Sequence, residues 1–283
     1  MKIKETLLFL CFPFLVTAQQ RVLNTAGNVS GKEDEPVEQR IGWFSSGIGG
    51  SAANVWDFSH LSTDRHEEND SKNRDGWLTG REKETSHHYL FSGDLLLRTG
   101  YENEMVSVKY SQPQQLLSFP LDFGKTIQES FKGRGKYGDQ LEMTLTGNTI
   151  TMVDGWGELI LPGGDRYKSV FRVHFMIWTL RDTAPLTSDF DINAPVGEKT
   201  PDKPAGESTA VWVVENIYRW YAEGSHYPLL ETQEVRIEYE KEPVVEQRSA
   251  YIYPANRQER LPAGENENLL LSEINRTQLQ VKQ

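Results

Sequence analysis

The sequence predicts an all-β protein, with antiparallel β-sheets arranged as a sandwich or a partly open half-barrel, long loops and little helix. Three observations carry this. Short apolar runs recur between Gly, Pro and Asn punctuation from Tyr89 onward; Val170 to Leu180 keeps one continuous apolar face and Glu234 to Glu240 alternates between apolar and charged side chains; and no segment carries a helical period beyond two turns, apart from a short candidate at Leu269 to Leu279.

In Val170 to Leu180 the odd positions Phe171, Val173, Phe175 and Ile177 form one apolar face, with Arg172 and His174 on the other. Burying those four side chains is worth roughly 1.5 to 3 kcal/mol each before entropy. Glu234 to Glu240 places Val235, Ile237 and Tyr239 inward and its charges outward, as a sheet with one solvated face permits. The further predicted strands are Asn54 to Phe58, Tyr89 to Phe91, Leu95 to Arg98, Met105 to Tyr110, Gln140 to Leu145, Thr149 to Val153 and Gly157 to Leu161. Pro162-Gly163 reads as the centre of a type II turn, where proline presets φ and glycine accepts a positive one.

The N-terminus sets the compartment. Lys2 and Lys4 precede an apolar run from Leu7 to Val16 and a small-residue exit at Ala18, the pattern of a secretory signal peptide over residues 1–18. The run is shorter than the roughly 20 residues a membrane-spanning helix needs, so no transmembrane span is expected in the mature chain. The single cysteine, Cys11, lies inside this leader, and the mature protein therefore folds without disulfides. Residues 19–40 are polar and read as an N-terminal arm or linker. The β-rich domain covers 41–241, possibly as subdomains 41–118 and 119–241. The tail, 242–283, is either disordered or contributes a strand that docks late, with Tyr251 to Pro254 as its apolar patch.

A net charge of −11 disfavours nucleic acid and anionic membranes as partners, since phosphate binding rests on Lys and Arg. Catalytic signatures are lacking: there is no GxSxG, no P-loop, no dinucleotide fingerprint and no mature thiol. No cofactor is implied. His60, Asp64, His66, Glu67 and Glu68 supply metal-type ligands without the spacing of a helical site, and they read as a solvated loop. Asp189, Asp191 and Asn193 open like a calcium loop but meet Ala194 and Thr200 where glycine and glutamate are needed. His87 and His88 point to opposite faces of their strand, and His174 reads as a cross-strand partner rather than a base.

The remaining signal is aromatic. Trp212, Tyr218, Trp220 and Tyr221, with Trp156 and Trp178, are more rings than one sheet face readily hides, and Trp212, Tyr218 and Trp220 share one parity. Exposed, they would stack on sugar faces or anchor a protein; alternatively they pack beneath the arm or tail as a second core layer. The leading expectation is a non-catalytic exported module that binds a glycan or an envelope protein through these four residues. The alternative is an extracytoplasmic hydrolase acting on glycans with unidentified acidic residues.

Two motifs add a resemblance. Trp56-Asp57-Phe58-Ser59, and Gly155-Trp156-Gly157-Glu158-Leu159-Ile160-Leu161-Pro162-Gly163-Gly164, with Leu117 to Lys125 between them, resemble in order and spacing a family of exported Bacteroidota proteins. Trp220-Tyr221 and His226-Tyr227-Pro228-Leu229 are similar to that family's closing element, so the likeness runs from about residue 43 to 230. It implies export and a β-rich fold, and it brings no catalytic residues or cofactor. Members often end in a sorting domain for type IX secretion that opens with YPNP; Tyr253-Pro254-Ala255-Asn256 is a degenerate form of it, followed by a stretch too short for that domain.

Overall fold

A computed structural model describes residues 22–23, 38–40, 44–62, 85–92, 94–197, 209–222, 228–239 and 244–253. The predicted leader and the candidate metal ligands Asp64, His66, Glu67 and Glu68 lie outside these residues. So do His226 and the short helix candidate at 269–279.

Among the described residues there is no helix, and no segment is a helix long and apolar enough to cross a membrane. Thirteen strands follow one another: β1 (Val22–Leu23), β2 (Glu38–Arg40), β3 (Gly50–Asp57), β4 (Ser86–Ser92), β5 (Leu95–Glu102), β6 (Val106–Ser118), β7 (Leu121–Asp122), β8 (Thr126–Tyr137), β9 (Leu141–Ile160), β10 (Arg166–Pro185), β11 (Thr209–Ala222), β12 (Leu230–Tyr239) and β13 (Val245–Ile252). Eleven of them form one sheet in the order β2-β13-β12-β11-β10-β9-β8-β6-β5-β4, with β3 added alongside β9, while β1 and β7 make a separate two-stranded ladder. Every neighbouring pair is antiparallel except β3 on β9, which is parallel. The sheet curls into an open half-barrel, the second of the two architectures the sequence allows.

Three boundaries differ from the sequence reading. Gln140 to Leu145, Thr149 to Val153 and Gly157 to Leu161 are not separate strands but parts of one, the 20-residue β9. The sheet also runs on past residue 241, where the tail takes the second of its two expected states, Val245–Ile252 pairing along β12, and Glu38–Arg40 of the arm pairs along β13. Finally, the two possible subdomains share this sheet, since β6 and β8 are hydrogen-bonded neighbours. The turn at Pro162-Gly163 is as expected, with Gly164 N–H donating to Leu161 O at 3.1 Å and Gly163 at φ 88°.

The core has two storeys. Inside the curl, Phe171, Val173, Phe175 and Ile177 of β10 pack with Phe131, Met143, Leu145, Val153, Ile217, Tyr221 and side chains of β5 and β6. On the outer face of the sheet a second cluster joins Phe44, Trp56, Phe58 and Leu61 to Leu159, Val170, Trp220, Leu230, Ala250 and Ile252. Here the segment 44–61 lies over the sheet, so that Val170, Phe171, Arg172 and Val173 are buried in succession, the mark of a strand covered on both faces. Further along β10 burial alternates, and only the inner face is covered. The half-barrel thus has one doubly covered end and one singly covered end.

Candidate functional site

The doubly covered end is held by an arginine. Arg172, 2% exposed, donates from Nε to Asp154 Oδ1 and from Nη2 to Asp154 Oδ2, both at 2.8 Å, and from Nη1 to the Ser46 and Gly47 carbonyls. Its guanidinium lies 5.4 Å from the Trp56 ring and 5.0 Å from that of Tyr218. A buried charge is tolerated when it is paired and its remaining donors are satisfied. Arg172 meets that condition, and in doing so it fastens the 44–61 segment to the sheet. The close fit dictates glycine at position 49, where a Cβ would come 2.4 Å from the Asp154 carbonyl oxygen.

This clasp decides the fate of the four aromatic candidates. Trp220 is fully buried, its ring edge-on to Phe58 at 5.2 Å and to Trp56 at 6.0 Å. Tyr221 points into the inner core and is 1% exposed. Neither presents a face to a ligand, and the expectation of a four-ring platform is corrected to that extent: Trp220 is covered by residues 44–61, and Tyr221 has the opposite parity. Tyr218 is half-buried and stacked on His174, its directly paired cross-strand neighbour, at 4.1 Å and 10° between planes. Burial pushes the His174 pKa down, against the opposing effect of its 3.2 Å hydrogen bond with Asn216. Trp212 alone is open, at 47%.

The singly covered end holds a different kind of site. Inward alternation brings His87 from β4, Arg98 and Tyr101 from β5, Tyr110 from β6, Met143 and Leu145 from β9, Thr179 and Arg181 from β10 and Glu215 from β11 around one half-open cavity of about 160 Å³. Strands far apart in the sheet order meet here because the sheet curls. Room for the Tyr110 ring exists because position 133 carries no side chain; a Cβ there would lie 2.5 Å from Tyr110 Cδ1. The mouth is pinned by Asn103, whose Oδ1 accepts from the Met105 and Val106 amides at 2.9 and 2.8 Å while its Nδ2 donates to Thr85 Oγ1 at 3.1 Å.

The polar groups of this cavity are under-satisfied. Arg98 Nε, Arg181 Nε and His87 Nδ1 are buried without a hydrogen-bond partner among the described residues. Buried polar groups in native proteins are nearly always paired, so each exception asks for an explanation. Burial, helped by the facing charges of Arg98, Arg219 and His88, pushes the His87 pKa down to about 3, and its ring is neutral near pH 7. Burial pushes the Tyr110 phenol up to about 12, so that it too is neutral. Two guanidinium charges therefore face a single carboxylate, Glu215, in a chain whose net charge is −11.

Arg134 Nε is likewise buried without a partner among the described residues, but Arg134 Nη2 lies 4.0 Å from Glu142 Oε2. Arg219 donates to Glu231, 2% exposed, whose other oxygen accepts from Gln233 Nε2 at 2.8 Å. Of the remaining sequence candidates, His87 lines the cavity while His88 faces solvent 3.6 Å from Glu102. Asn193 Oδ1 accepts from Lys109 Nζ at 2.7 Å, and Asp191 Oδ1 from the Asn193 amide at 2.8 Å. Among the described residues no group of three or more metal-type ligands comes together.

Sequence reasoning missed Arg98, Tyr101, Tyr110, Arg181 and Glu215. One signal was present: the apolar odd face of β10 continues in step to Thr179 and Arg181, placing a charge on the core side of a strand. A scan against protein-family models, a search of curated proteins and a search of solved structures each found no match.

Proposed function

We propose that this chain is an exported, non-catalytic binding protein that takes a terminal sugar unit of a glycan into the open end of its half-barrel. The observation that carries the reading is the cavity walled by Tyr101, Tyr110, Thr179, Arg98, Arg181 and Glu215. At about 160 Å³ it is near the 150 Å³ cavity that holds one benzene, and so suits a single ring rather than a drug-sized ligand, whose pockets start at about 300 Å³. Its wall mixes phenol rings with hydrogen-bonding groups, which is what a sugar requires. The leader-like residues 1–18 and the resemblance to exported Bacteroidota proteins support an extracytoplasmic place of action.

Binding is favoured over hydrolysis by the acids at hand. Glycosidases canonically set two carboxyl groups across the scissile bond, about 5 to 9.5 Å apart. This cavity is lined by one, Glu215.

The test is a glycan panel probed with the mature chain, residues 19–283, beside Tyr101→Ala and Trp212→Ala variants whose folding is verified by circular dichroism. Binding lost in Tyr101→Ala and kept in Trp212→Ala is the expected result. The reverse would move the site to the outer face of the sheet, and release of free sugar by the wild-type chain would replace binding with hydrolysis.

A further inference from the structure

We infer that the unit taken up by the open-end cavity is an acidic sugar, its carboxylate held between Arg98 and Arg181 and its hydroxyls met by Glu215 and Thr179. The inference rests on the binding reading above and adds the chemical class of the ligand.

Charge comes first. The protein has 41 acidic against 30 basic residues, so a carboxylate partner for a buried arginine is easily supplied from within. Arg172 has Asp154 and Arg219 has Glu231. Arg98 and Arg181 form no ion pair within 4.0 Å among the described residues, although both border the same cavity as Glu215. Their buried Nε atoms have no hydrogen-bond partner among the described residues. Both side chains line the cavity, and the planar guanidinium fork is the group that matches a carboxylate in a bidentate pair.

The balance of charge selects the anion. Two guanidinium groups against Glu215, with a neutral His87, leave an excess of one positive charge, which a monoanion cancels. A dianion such as a phosphate monoester would face the Glu215 carboxylate without a countercharge. Size and lining select the rest of the molecule. A ring-sized volume, the half-buried Tyr101, the Tyr110 ring beside it at 6.4 Å between centroids, and the Glu215 and Thr179 oxygens together suit a hydroxylated ring better than a bare carboxylic acid.

The experiment is isothermal titration of the mature chain with glucuronate, galacturonate, glucose, galactose, acetate and inorganic phosphate, paired with NMR shifts of the His87 ring and the Thr179 amide to locate binding. At least one of the two uronates should bind tenfold or more tighter than its neutral parent and shift both reporters. Arg98→Met and Arg181→Met should each erase that preference, and Arg98→Lys, which keeps the charge without the fork, should retain part of it; circular dichroism confirms that each is folded. Equal binding of acidic and neutral sugars at the reporters would overturn the acidic class while leaving the binding reading intact. Acetate or phosphate matching the uronates would overturn the acidic ring. A panel in which no sugar moves either reporter would overturn both the inference and the reading beneath it.

Discussion

The two ends of the half-barrel each bury arginine nitrogens, and they treat them differently. At the doubly covered end Arg172 spends its donors on Asp154 and on the Ser46 and Gly47 carbonyls, with aromatic rings on either side. At the singly covered end Arg98 and Arg181 keep buried Nε atoms without a partner among the described residues. The chemistry of the side chain is the same, so the difference lies in what surrounds it. A saturated arginine is a fastener; under the proposal above, one with an unmet donor beside a cavity is where the ligand docks.

The largest way to break this contrast is at the fastener. Arg172→Met strands the Asp154 carboxylate and frees the 44–61 segment, and breaking a buried pair on one side typically costs about 3 to 5 kcal/mol. Urea denaturation should show a loss of that size together with a Trp fluorescence change as Trp56 and Trp220 become wet. A loss under about 1 kcal/mol would mean that the clasp is not what covers the closed end.

Next comes pH. His87 is held neutral in the folded protein, with its pKa pushed down to about 3 by burial first and then by Arg98, Arg219 and His88, against 6.5 for the ordinary side chain. Between these values the unfolded chain binds a proton that the folded one excludes, so stability falls as pH drops from about 6.5 towards 3. His87→Gln removes this contribution. Relative to the variant, the wild type should lose about 2 kcal/mol between pH 6.5 and pH 5, at about 1.4 kcal/mol per pH unit, read from urea midpoints. Parallel pH profiles for the two proteins would show that the His87 ring is solvated.

Smaller still is the effect of the cavity arginines on folding. Arg98→Met and Arg181→Met each remove a buried Nε that has no hydrogen-bond partner among the described residues, and the expected change is within about 1 kcal/mol of zero in either direction. A cost near that of Arg172→Met would give these side chains a structural role. The smallest effect belongs to Trp212→Ala, at an exposed position, which should alter ligand affinity less than twofold and stability by under about 1 kcal/mol.

How much of this was legible depends on whether a contact is local. The alternation from Phe171 to Ile177 and the Pro162-Gly163 turn need only neighbouring residues, and both were readable. The length of β9 was not, because Gly147, Gly155 and Gly157 look like punctuation. They are places where something comes too near for a side chain: a Cβ at 147 would sit 2.3 Å from Phe131 Cζ, and one at 157 would sit 2.0 Å from the Asn54 carbonyl oxygen. Nor does local pattern tell that Trp220 is roofed by Trp56 and Phe58, or that the polar segments Glu38–Arg40 and Val245–Ile252 pair through their backbones. The cavity is the extreme case. Arg98 follows Leu96 on the inner face of β5 and Arg181 follows Ile177 on that of β10, but only the curl of the sheet brings the two together.

The most direct test of the account is a crystal structure of residues 19–283 with the tightest-binding uronate at saturation. The sugar should occupy the open end of the half-barrel, its carboxylate oxygens about 3 Å from guanidinium nitrogens of both Arg98 and Arg181. A saturating uronate found instead on the outer face beside Trp212, with the open end holding only solvent, would contradict it.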